Sequence, residues 1–187
     1  MATPASNQKH EHYQAVKGTP HAQAHWEASY RQLGDVRNPQ ARNSARQELS
    51  NAGADGARWL IDRVRFEYDS ERLQDTATVL AHIGEECLVA VRDALRSSPS
   101  DDEAWVLLRA IGWMTDLPSA TIIADPLQTS VISYIDHHNS VLREAAAEAL
   151  AVLAPERAAG ILKSRLSVER DEDVREQIQS VLERFTK

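Results

Sequence analysis

The sequence predicts an all-α chain in which helical hairpins stack into a right-handed α-solenoid. Three observations lead there: an apolar pattern that recurs about every 31 residues, a composition rich in strong helix formers, and helix-start and helix-stop residues at the pattern's boundaries. The pattern is clearest at the last turns of the Ala/Leu-rich segments. Leu49, Leu80 and Ile111 are 31 residues apart, Leu150 follows after 39 and Leu182 after 32. Four positions upstream stand Ala45, Thr76, Leu107, Ala146 and Ile178, and three downstream stand Ala52, Ile83, Met114, Leu153 and Phe185. Thr76 is the one polar residue in these three columns. Offsets of four and three lie on one face of a helix, so each column set marks the buried face of a first helix.

A second helix follows in each complete unit. Its stripes are Trp59, Leu60 and Val64, then Leu88, Val91 and Leu95, then Ile161, Leu162 and Leu166. The third unit is less regular, and its second helix is expected from about Pro126 to Tyr134. Asn38-Pro39 reads as an N-cap with proline at the first helical position, and Pro155 opens another helix. Ser100 to Glu103 fits a capping box, and Gly53 and Gly84 stand where first helices end. Asp171 and Asp173 favour the start of the last helix through its dipole.

Two helices alone cannot bury their apolar faces, so neighbouring units must complete the core. The segments Asn139 to Leu153 and Asp173 to Phe185, with Leu142-Arg143 and Val174-Arg175 near their starts, resemble the first helix of HEAT repeats. The likeness is to the short bacterial type similar to phycobilisome-lyase repeats. It extends over about residues 38–187, and it implies about four hairpin repeats plus capping helices. The domain expected on this reading is 19–187, behind a polar N-terminal tail of 1–18. Thr19-Pro20, followed by Trp26, Tyr30, Leu33 and Gly34, reads as an N-terminal capping helix over 19–34, and 171–187 forms the C-terminal cap.

Composition narrows the function. The formal net charge of −7 disfavours a dedicated nucleic-acid binder, because phosphate neutralisation calls for positive charge. Cys87 is the only cysteine, which excludes an intramolecular disulfide or a multi-cysteine zinc site; it reads as a small core residue. The N-terminus lacks an apolar signal segment and no apolar run is long enough to span a membrane, so a cytoplasmic protein is expected. No P-loop, dinucleotide glycine motif, Gly-x-Ser-x-Gly or metalloprotease helix motif is present. A non-catalytic module that binds another protein is therefore expected, with no cofactor.

In HEAT-type solenoids the second helices line the concave face. Arg58, Arg65, Arg92, Arg96 and Arg165 fall on those helices, and Arg65 and Arg96 each lie 16 residues beyond their unit's marker leucine. They are the candidate partner-binding ladder for an acidic partner or a phosphate backbone, diluted by interleaved carboxylates such as Asp62 and Asp93. The third unit carries seven or eight extra residues around Gly112 to Asp125. There Ile122 and Ile123 either plug the groove beside Trp113 or form a docking loop.

His10, His12, His21 and His25 crowd the N-terminus, and the last two have the spacing of a helical metal pair with no evident third ligand. A solvated tail and helix is the simpler reading. Asp136-His137-His138 reads as turn and cap chemistry, with an Asp-oriented imidazole base as the alternative. The resemblance also leaves open a nucleic-acid-binding role like that of HEAT-like DNA glycosylases, or a bilin-lyase-like handling of a cofactor.

Overall fold

The computed structural model describes residues 19–115 and 124–185, and every regular element within them is helical. Helix α1 (Pro20–Tyr30) starts on Thr19, whose hydroxyl accepts the Ala22 N–H at 3.2 Å, with Pro20 in the first turn. Then follow α2 (Pro39–Ser50), α3 (Gly53–Val64), α4 (Ser70–Ile83), a 3-10 turn at Gly84–Cys87, and α5 (Leu88–Arg96). The remainder comprises α6 (Asp101–Gly112), α7 (Ala124–Tyr134), α8 (Ser140–Leu153), α9 (Pro155–Leu166) and α10 (Glu172–Arg184).

These helices form two layers. The first holds α2, α4, α6, α8 and α10, each packed on the next. The second contains α3, α5 and α7 in succession, and α9 packs on α8 and α10. The marker residues Leu49, Leu80, Ile111 and Leu150 are fully buried at the heart of the first layer. Thr76, the polar exception, is buried too, and its hydroxyl donates to the Arg72 carbonyl at 2.8 Å. Helices α6 and α8 pack together, and both bury small residues, among them Ala104, Ala110, Ala145, Ala146 and Ala149. A Cβ added to Gly112 would stand 2.9 Å from that of Glu148. Helix α1 closes one end of the stack: Trp26 and Tyr30 pack on Trp59 of α3, with ring centroids 5.9 and 5.7 Å apart.

The expected starts are largely present. Asn38 accepts the Ala41 N–H at 3.2 Å and Asp171 accepts that of Val174 at 3.3 Å. The capping box is present: Ser100 accepts the Glu103 N–H at 3.2 Å, and the Ser100 amide donates back to the Glu103 carboxylate, which is nearly fully buried and also takes Arg65.

Buried charges hold the units in register. Asp75, with no exposed surface, accepts the Gly34 N–H at 2.7 Å and Arg42 Nε at 2.6 Å, and Arg46 completes the cluster. Burial pushes the Asp75 pKa up, but the Arg42, Arg46 and Gly34 hydrogen bonds outweigh it and hold the pKa below its usual value. Gly34 has φ +77°, and a Cβ there would sit 3.0 Å from the Arg72 nitrogen, so this close approach needs glycine.

Glu169 is the counterpart at the other end. Arg143 donates to it through Nε and Nη2 at 2.8 and 2.9 Å, Arg165 Nη2 donates at 2.7 Å, and the Arg170 and Asp171 amides donate at 2.9 Å each. Burial raises the Glu169 pKa, but these donors more than reverse it, bringing it down to about 2. A depressed carboxylate pKa adds stability above the unfolded-state value, and that stability is lost as pH falls through the folded value. Glu169→Gln is therefore expected to cost about 3 kcal/mol at neutral pH, the scale for removing one partner of a buried pair. It should also flatten the loss of stability between about pH 4.5 and about pH 2, measured by urea unfolding across that range.

Candidate functional site

The arginines predicted to form a binding ladder are engaged mainly within the chain. Arg65, the C-cap of α3, reaches across to α6, with Nε donating to Glu103 at 3.2 Å and Nη2 to Ser97 at 3.3 Å. Arg165 on α9 pairs with Glu169 and also with Asp136 at 2.9 Å. Arg58 pairs with Asp55 at 3.2 Å, and Arg92 with its neighbour Asp93 at 2.7 Å. Arg96 is exposed, and among the described residues no ion pair engages it. Arg165 thus ties one unit to the next, Arg65 reaches past the next unit to the one beyond, and two more are neutralised locally.

Trp113 forms the C-cap of α6 with 36% of its surface exposed, while Ile122 and Ile123 lie outside the described residues, as do His10 and His12. His25 turns to Glu48, its Nε2 3.5 Å from the carboxylate, and among the described residues His21 and His25 belong to no convergent group of three ligating side chains. Cys87 is fully buried, its thiol donating to the Leu80 carbonyl at 3.4 Å, and burial raises its pKa to about 12. A thiol so placed is a core side chain and no nucleophile at neutral pH.

Sequence reasoning overlooked the edge where one hairpin passes into the next. The turns before α4, α8 and α10 share a device: the side chain two residues ahead of the N-cap accepts the N-cap amide. Glu67 takes the Asp69 N–H at 2.9 Å, His137 Nδ1 takes the Asn139 N–H at 3.2 Å, and Glu169 takes the Asp171 N–H at 2.9 Å. The arginines of the pairs Leu142-Arg143 and Val174-Arg175 also do matching work. Arg143 clasps the His137 and His138 carbonyls at 2.9 and 3.0 Å, and Arg175 clasps those of Leu166 and Glu169 at 3.0 and 3.1 Å. An acceptor two residues before an Asp or Asn cap was the available signal.

The same edge carries the most exposed apolar side chains. Phe66 and Tyr68, in the turn entering α4, are 78% and 87% exposed. Beside that turn a groove of about 280 Å³ crosses the neighbouring N-terminal ends of α4, α6 and α8. Leu73, Trp105, Val141 and Leu142 form its apolar surface, and Asp101, Asp102, Ser70 and Asn139 form its polar rim.

These placements separate structural arginines from available ones. Arg65→Ala is expected to lower stability by about 2 kcal/mol, because it leaves the buried Glu103 carboxylate unpaired. Arg96→Ala should change stability by less than about 0.5 kcal/mol. Chemical unfolding of the two variants side by side checks both. No protein-family model, curated protein or solved structure matches this chain.

Proposed function

We infer that this chain is a non-catalytic protein-interaction module: a right-handed HEAT-like α-solenoid acting in the cytoplasm as an adaptor or small subunit of a complex. The observation that carries the reading is the groove across the N-terminal ends of α4, α6 and α8, with Phe66 and Tyr68 exposed beside it. Leu73, Trp105, Val141 and Leu142 offer apolar contact, while Asp101 and Asp102 place negative charge on the rim. Exposed aromatics beside an apolar depression are the usual composition of a protein-docking surface.

Its occupant, on this reading, is a short protein segment with one or two apolar anchors flanked by lysine or arginine. The net charge of −7 adds long-range attraction of the same sign. This moves docking from the second-helix face to the hairpin edge, since the arginines of that face are largely paired. An acidic rim repels phosphate, which puts nucleic-acid binding second. A bilin-lyase-like role rests on the family resemblance alone.

Selection of displayed random peptides against the full chain tests the reading. Peptides pairing apolar residues with lysine or arginine should be enriched. Their binding should weaken at least tenfold in Asp102→Lys and in the double variant Phe66→Ser/Tyr68→Ser, whose altered side chains are exposed. Enrichment without basic residues, or binding indifferent to both variants, would overturn it.

A further inference from the structure

Asp136, the carboxylate next to His137 in sequence, is taken by Arg165 at 2.9 Å. The carboxylate that meets the histidine pair in space is Asp101, from the first turn of α6 and 36 residues earlier. One potential ligand atom from each of Asp101, His137 and His138 lies within 4.8 Å of the other two. Among the described residues this is the one place where three such side chains converge. We propose that Asp101, His137 and His138 form a binding site for a borderline divalent transition-metal ion, of which Zn²⁺ is the representative, and that the ion clips the third hairpin unit to the fourth.

Donor chemistry and support both favour this. Two imidazoles and one carboxylate are a common ligand set for Zn²⁺ and its neighbours, leaving open positions for water. Around a tetrahedral ion with bonds near 2.0 Å the ligand atoms stand about 3.3 Å apart. The contraction required falls mainly on the exposed Asp101 and His138, while His137 is half-buried and its ring lies 4.2 Å from that of His138, centroid to centroid.

The surrounding structure holds the frame still. Arg143 fixes the turn through the carbonyls of both histidines. Asn139 Nδ2 donates to Asp101 Oδ2 at 2.8 Å, which orients the carboxylate as an outer-shell partner would. The positive end of α6 opposes a cation, but Asp101, Asp102 and Glu103 in its first turn offset that.

Binding has one identifiable cost. The His137 ring accepts the Asn139 amide at Nδ1, so the neutral ring carries its proton on Nε2. Ligation through Nε2 requires the other tautomer, and ligation through Nδ1 displaces the amide. Either route gives up the 3.2 Å bond, so metal uptake carries a signature at the Asn139 N–H.

The test uses the full chain with His10, His12, His21 and His25 changed to glutamine, which removes the N-terminal histidines as competing ligands. Zn²⁺ is titrated against a chelating dye, and Co²⁺ is followed by its visible absorption. The proposal expects one equivalent bound, a rise in melting temperature with Zn²⁺, and a shift of the Asn139 amide resonance. His138→Gln and Asp101→Asn should each weaken binding at least tenfold while leaving the metal-free circular dichroism unchanged. No stoichiometric binding in the quadruple variant, or binding that survives His138→Gln, overturns it. His138 does not line the peptide groove, so His138→Gln separates failure of this site from failure of the docking reading.

Discussion

The turn that carries the chain from one hairpin to the next must satisfy backbone N–H groups beside a tightly packed first layer. Glu67, His137 and Glu169 do this with a side-chain acceptor two residues ahead of the N-cap. Much of the polar architecture is built on those acceptors. Arg72 and Tyr30 converge on Glu67, Arg143 and Arg165 converge on Glu169, and Arg143 also secures the His137 turn. The helices that these turns introduce are α4, α8 and α10 of the first layer, where small residues such as Ala145 and Ala146 are fully buried. Packing and capping are coupled: an unpaired amide or carboxylate at that depth would be expensive.

The helices were legible in the sequence because their signals are local. The Leu49–Leu80–Ile111–Leu150 column lies in the first layer as the period implies, and Asn38, Pro155 and Asp171 mark helix starts. Leu182 is only partly buried, as suits the last helix of the row, with a neighbour on one flank alone. The Ser100–Glu103 motif was legible as a capping box, but nothing local announced the second partner of Glu103, Arg65, 38 residues away. Pattern reading sees spacing along one helix and misses a partner that arrives from another unit.

That limitation also explains the candidate sites. Arginines at a regular interval look like a ladder, yet Arg65 and Arg165 recur as ties across units, a role that depends on Glu103, Asp136 and Glu169. Asp136 stands next to two histidines in sequence and is drawn away from them, whereas Asp101 is brought to them by the parallel alignment of α6 and α8. Phe66 and Tyr68 interrupt a charged turn, and that was the one clue in the sequence to an exposed apolar edge.

Both ends of the first layer carry a buried carboxylate held by two arginines, and one end adds an aromatic closure. At one end Trp26 and Tyr30 close over Trp59; at the other, Arg143 and Arg165 grip Glu169. Aromatic burial loses strength on cooling, whereas a guanidinium–carboxylate cluster responds to proton activity. Acid therefore acts on both ends, on Asp75 near α1 and on Glu169 before α10, while cooling weighs additionally on the aromatic closure at the N-terminal side.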